Sequence, residues 1–180
     1  MTNLTNIVYQ SVKRFISLAT AVVMLSVSVA PVHAVSTGEP APSIILPHLQ
    51  SKQLVDLEQY KGKVVYLDFW ASWCGTCRIS MPQIEQLHQD LKSRGFEVVG
   101  INVDQDPEAG RAFLAEHPVS FATLSDPKGV TPQKFELIGM PTSYLIDAQG
   151  LVRLVHQGFR QGDVEHLRHE IEELLMEVKK

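Results

Sequence analysis

Residues 64 to 71 read VVYLDFWA, and three residues later the chain reaches the first of its only two cysteines, in the stretch WASWCGTC from Trp70 to Cys77. The turn Lys61-Gly62-Lys63 precedes this run, and the run itself is apolar, β-branched and aromatic. Such a segment predicts a buried central strand over Val64–Trp70. From Cys77 to about Ser93 the apolar positions Ile84, Leu87 and Leu91 recur at helical spacing. Phe96 to Val103, FEVVGINV, predicts a second buried strand.

The remaining elements follow the same logic. Ser43–Leu46 and Leu54–Asp56 predict short strands joined through the polar SKQ. Asp106-Pro107-Glu108 places proline in a first turn with acid near the positive end, so a helix starts there and ends before Pro118. Ala122–Leu124 reads as a short strand and Val130–Phe135 as a short helix. Thr142–Ile146 and Leu151–His156 form a hairpin about Ala148-Gln149-Gly150. Val164, Leu167, Ile171, Leu174 and Val178 mark one face of a terminal helix. The order β-α-β-α, then β-β-α, predicts one α/β domain with helices on both sides of a mixed sheet.

The first 34 residues stand apart. They hold no acid, carry Lys13 and Arg14, and run FISLATAVVMLSVSVA from Phe15 to Ala30 before Val32-His33-Ala34. That is the layout of a secretory signal cleaved after Ala34, with an uncleaved anchor over residues 15–30 as the alternative. Either way the rest is exported. Residues 35–42, VSTGEPAP, read as a linker, leaving 43–180 as the folded domain. Removing the leader takes two of the 16 basic residues and none of the 20 acidic ones, leaving a net charge of −6. With no lysine- or arginine-rich run, the chain lacks the electrostatic footprint of a nucleic-acid binder.

Export permits disulfides, but a bridge between Cys74 and Cys77 closes almost no loop and so adds little stability. Zinc would want two more ligands at suitable spacing; haem attachment would want His where Arg78 stands. His166 and His169 sit one turn apart on the terminal helix and read as a solvated face. Redox chemistry remains. Cys74 lies where a strand ends and a helix begins, where unpaired N–H groups and the helix dipole stabilise a thiolate. In such sites the thiol pKa falls from about 8.5 toward about 7. That is about 2 kcal/mol, enough to raise the thiolate from a few per cent to about half at neutral pH. Cys77, one turn later, is placed to resolve a mixed disulfide.

Asp68 interrupts the apolar run, and a buried carboxylate without partners is costly. It is either turned to an edge or paired with a lysine, or it is a desolvated acid that exchanges a proton with Cys77. Gly139-Met140-Pro141-Thr142 precedes the strand YLID. Proline at a strand's start is sterically ordinary, and the isomer of its peptide bond cannot be read from sequence.

Three segments together, KGKVVYLDFWASWCGTCRISMP (61–82), EVVGINVD (97–104) and IGMPTSYLIDAQGLV (138–152), resemble the thioredoxin superfamily. Within it they resemble the exported TlpA/ResA/DsbE-like thiol-disulfide oxidoreductases, as does GEPAPSIIL at 38–46. The resemblance implies a thioredoxin fold with short N-terminal strands and a central αβ insertion. It implies Cys74 as attacking thiol, Cys77 as resolving thiol and Asp68 as the buried acid. Pro141 falls on a cis proline facing the disulfide, and Met140 on the residue whose backbone pairs with substrate. Trp73, Gly75 and Thr76 complete the contact surface, while Trp70 reads as core. No cofactor is implied beyond the Cys74–Cys77 redox disulfide. Implied partners are protein thiols and disulfides and a membrane thiol donor of the DsbD/CcdA type. Many members carry proline at the position of Thr76, which here leaves an extra N–H near Cys74, and an acid at that of Ser80. A role in cytochrome c maturation is therefore a weaker implication than membership. With no cation between the cysteines, the expected activity is disulfide reduction; the rivals are a disulfide-forming oxidant and a redox-inactive binding domain.

Overall fold

A computed structural model describes residues 35–178. The expected leader and its cleavage point fall on residues 1–34, outside the described residues. Strands β1 (Ile45–Pro47) and β2 (Leu54–Asp56) pair antiparallel as a small separate sheet. The main sheet holds β3 (Val64–Trp70), β4 (Phe96–Asn102), β5 (Ala122–Ser125), β6 (Thr142–Ile146) and β7 (Val152–Gln157) in the order β5-β4-β3-β6-β7. β3, β4 and β5 run parallel, and β6 and β7 return antiparallel. Helices α1 (Gly75–Leu91), α2 (Pro107–Glu116), α3 (Val130–Lys134) and α4 (Asp163–Val178) connect or close the layers.

β3 is central, and all seven of its residues are buried, as a run apolar at every position but Asp68 favours. Its even-numbered side chains Val64, Tyr66 and Trp70 join a core with Cys77, Met81, Ile84 and Leu87 of α1, Phe113 of α2 and Leu167 and Ile171 of α4. Its odd-numbered side chains Val65, Leu67 and Phe69 pack with Val99, Ile101, Phe135 and Tyr144. The second face is closed by Leu46 and Val55 of the N-terminal hairpin, by Ile44 just before it, and by Phe135 beyond α3. Alternation along one strand thus sorts two cores.

The turns explain the element ends. Gly95 adopts φ 101°, a left-handed conformation that glycine takes without steric cost, and its carbonyl accepts from Val64 N as β4 begins. Asp106 caps α2 by accepting from Glu108 N at 3.0 Å, with Pro107 at the first helical position. Two expectations shift. On α4 the buried positions are Leu167, Ile171, Leu174 and Leu175, while Val178, in the last turn, is exposed. Residues 38–41 hydrogen-bond along the sheet: Gly38 N donates to Val152 O at 2.7 Å and Ala41 N to Gly150 O at 2.9 Å. Backbone donors of a Pro- and Gly-rich stretch carry no sequence signature of such pairing.

Candidate redox site

The site assembles where parallel strands end. β3 finishes at Trp70, and α1 starts five residues on with Cys74 as its N-cap in an extended conformation (φ −83°, ψ 102°). Cys74 and Cys77 form a disulfide with Cα atoms 5.3 Å apart. Cys77 N donates to Cys74 Sγ at 3.1 Å, so a backbone donor of the first turn faces the sulfur. This is the N–H that reaches Cys74; the extra donor expected from Thr76 is not the one bonded there. Cys74 is 6% exposed and Cys77 is fully enclosed by the α1 core. Ser80, in place of an acid, is buried and donates to the carbonyl of Cys77 at 3.2 Å.

The loop between β3 and α1 is pinned by a group the sequence reasoning missed. Asp104, two residues past β4 and 3% exposed, accepts from Ser72 N at 3.0 Å and from Ser72 Oγ at 3.0 Å. Asn102 Nδ2 holds the same carboxylate at 2.7 Å. An acid immediately after a buried strand, at the end where sites gather, was the available signal. Trp70 is wholly buried against Phe113, whereas Trp73 is 69% exposed. A shallow groove lined by Ser72, Trp73, Val103, Asp104, Asp106 and Ala109 runs beside the cysteine loop.

The Met140–Pro141 peptide bond is cis. Antiparallel pairing of Phe69 with Thr142 brings Pro141, buried, alongside the carboxyl end of β3. Met140 is half-buried and packs against both cores, including the one that holds the cysteines. Gly75, exposed, and Thr76, half-buried, open the first turn of α1. The site residues thus converge from three strand ends and one helix start.

Asp68 lies deeper, on the same face of β3 as Tyr66 and Trp70, beneath the helices that carry Cys77 and Leu167. It accepts from Ser143 Oγ at 2.7 Å. Burial pushes its carboxyl up to about 7, with the Ser143 hydrogen bond pulling the other way. Among the described residues no cation pairs with it, so the lysine-paired account of Asp68 does not apply. His166 and His169 lie on the exposed face of α4 next to Glu170 and Glu173. Among the described residues no cluster of three or more His, Cys, Asp or Glu is placed to hold a metal.

Residues 36–173 match the Redoxin family. The chain belongs to that family. This redoxin is 30% identical over 141 residues to the thiol-disulfide oxidoreductase ResA of Bacillus thuringiensis, covering 78% of each chain. It is 32% identical to the thioredoxin-like protein YneN of Bacillus subtilis over 69% of its own length and 73% of the relative's. Among solved structures, a protein assigned as the thiol:disulfide interchange protein DsbE of Chlorobium tepidum superposes with TM-score 0.76 at 44% identity. That match covers 79% of this chain and 99% of the other. The redoxin therefore sits in the thioredoxin superfamily among TlpA/ResA/DsbE-like thiol-disulfide oxidoreductases, and its fold is theirs: a mixed five-stranded sheet flanked by helices.

Proposed function

We propose that this redoxin is an exported reductase of protein disulfides, recharged by a membrane thiol donor of the DsbD/CcdA type and acting in cytochrome c maturation. One observation carries the reading: Cys74 caps α1 and keeps a small opening, 6% exposed, while Cys77 is wholly sealed behind it. In the dithiol form Cys74 thiolate attacks a substrate disulfide, forming a Cys74–substrate bond and releasing one substrate thiolate. Cys77 then loses its proton to Asp68, attacks Cys74 Sγ and expels the second substrate thiolate. The substrate gains two electrons and the enzyme ends as the Cys74–Cys77 disulfide.

Asp68 suits the acceptor role because burial puts its carboxyl near neutrality, and Cys77 has no bulk water at hand. Trp73, Gly75, Thr76, Met140 and Pro141 form the surface on which an extended substrate strand lies, with the groove beside Trp73 receiving side chains. The residues between the cysteines, Gly75 and Thr76, bring no cation to the thiolate. Strong oxidants differ from reducing thioredoxins by roughly 7 kcal/mol of poise, and an unassisted thiolate belongs at the reducing end. The test is equilibration with glutathione buffers, reading the fraction oxidised. A poise close to that of thioredoxin supports the reductase; one near the strong oxidants makes the protein a disulfide donor instead. Cleavage of the leader is checked at the N-terminus of the native protein, expected at Val35.

A further inference from the structure

Register places an unusual line of polar side chains across the sheet. Asp68 on β3 pairs with Ser143 on β6, and Ser143 pairs with His156 on β7. Residues directly opposite one another in a sheet point to the same face, so the three share the side occupied by α1 and α4. Tyr66, two residues before Asp68, shares that face as well. The side chains lie in one cluster. Ser143 Oγ lies 2.7 Å from Asp68 Oδ1, and the Ser143 hydroxyl is near enough to the Tyr66 phenol to favour its charged form. Tyr66 Oη lies 3.4 Å from His156 Nδ1, and His156 Nε2 lies 3.1 Å from Asp163 Oδ2. The inner members Asp68, Ser143 and Tyr66 are buried, His156 is half-buried, and Asp163 reaches solvent at the start of α4.

The geometry points to a lateral proton path, Asp68–Ser143–Tyr66–His156–Asp163, that carries the proton taken from Cys77 out through the β7 edge. This rests on Asp68 as the acceptor for Cys77. The need arises from the substrate. While Cys74 is bound to a protein, that protein covers the cysteine surface, and the partly exposed Asp163 at the start of α4 gives the proton a second opening to solvent.

The hydrogen-bond roles fit outward transfer. Asp163 already accepts from Arg160 N at 2.7 Å, and that bond with the His156 contact holds its carboxyl below the usual range. As a carboxylate it only accepts, so His156 Nε2 carries the proton and Nδ1 is left to accept from the Tyr66 hydroxyl. Transfer then breaks and makes one bond at each site. In the resting site Ser143 Oγ donates to the Asp68 carboxylate. Once Asp68 is protonated that hydroxyl turns toward Tyr66, Asp68 gives its proton to Ser143 Oγ, Ser143 gives its own to Tyr66 Oη, and Tyr66 gives its own to His156 Nδ1. The resulting imidazolium rests beside Asp163 and releases its Nε2 proton to water. Burial holds the Tyr66 phenol far above its ordinary pKa, so a free phenolate does not accumulate. The groups facing His156 are Tyr66 from β3, Asp163 from α4 and the Phe159 ring, edge-on at 6.0 Å. Tyr66, Ser143 and His156 are positioning residues, acting through Asp68.

The test is single-turnover reduction of insulin by the dithiol protein, with acid quenching to follow decay of the Cys74 mixed disulfide. Tyr66→Phe and His156→Phe should each slow that decay about tenfold or more, within the range of a lost proton transfer. The double variant should be no slower than the slower single, because steps in series on one path do not add. Unfolding midpoints confirm that each variant is folded. Asp68→Asn separates the two ideas. If it slows decay while Tyr66→Phe and His156→Phe do not, the path is overturned and Asp68 stays the acceptor. Additive losses in the double variant also overturn the path, since independent packing damage behaves so. If Asp68→Asn leaves decay unchanged, the acceptor and the path fall together.

Discussion

The two faces of β3 are built to opposite rules. The odd-numbered face, Val65, Leu67 and Phe69, is wholly apolar and meets rings edge-on, with Phe69 5.3 Å from Phe135 and 6.0 Å from Tyr144. The even-numbered face interrupts Tyr66 and Trp70 with Asp68 and continues the interruption sideways through Ser143 and His156. One face therefore supplies burial, and the other gives up part of it to keep a titratable group beneath the cysteine helix. The neighbour on the other side makes room rather than contact. Gly100, opposite Asp68 on β4, leaves space for the Trp70 indole, which a Cβ would meet at 3.0 Å. Stability and chemistry are divided across a single strand.

The largest expected effect lies on the apolar face. Phe69→Ala removes a fully buried ring and should cost about 3–5 kcal/mol, read as a loss in the denaturant midpoint. Because Phe69 faces away from the cysteines, the equilibrium with glutathione should be unchanged in the folded fraction. A shifted poise would mean that the faces are not independent.

Asp68→Asn should do the reverse. The folded carboxyl sits near 7 against 3.8 for the ordinary group, so the native state holds a proton that the unfolded chain has already lost. Native stability therefore falls as pH rises from about 4 to about 7 and is flat above that. Three units correspond to about 4 kcal/mol at most, and Asn, which keeps a partner for Ser143, recovers much of it. Unfolding at pH 8 should show the variant more stable than the parent by a few kcal/mol, and at pH 4 the two should nearly coincide. A variant less stable at pH 8 would mean an unseen cation partner and an acid of structural purpose.

Sequence reasoning reached the apolar face more fully than the polar one, and the cause is physical. Val64–Trp70 and Thr142–Ile146 were legible to the residue because alternation and turn chemistry are local. Asp68 stood out because it broke a pattern. Ser143 and His156 broke none, since serine at a strand's start and histidine near a strand's end are ordinary. Only pairing across 75 and 13 residues places them in Asp68's row. Asp104 was hidden similarly, because its partner Ser72 lies 32 residues earlier. The cysteines, Trp73 and the Met140-Pro141 segment were found through composition and family likeness; the cis bond needed the structure.

Asp104→Ala tests whether the loop before Cys74 needs its clamp. Ser72 N and Oγ and Asn102 Nδ2 lose a charged acceptor together, and hydrogen bonds to charged groups contribute about 1.5–3 kcal/mol. Stability should drop by about that amount, and alkylation of Cys74 in the dithiol form should lose its preference over Cys77 as the loop loosens. Retained preference with lowered stability would restrict Asp104 to the fold.

Trp73→Ala is expected to have the smallest effect on stability and is the most direct probe of the surface. The side chain is 69% exposed beside the groove and contributes little to either core, so the unfolding midpoint should move by less than about 0.5 kcal/mol. A protein substrate lying across Cys74 covers that ring, whereas glutathione disulfide is too small to span the groove. KM for insulin should therefore rise several-fold while the rate with glutathione disulfide stays the same. This contrast separates contact from chemistry, because a damaged cysteine site would slow both substrates alike. Equal losses would assign Trp73 to shaping Cys74 itself, and the groove beside it would then have no part in binding the substrate chain.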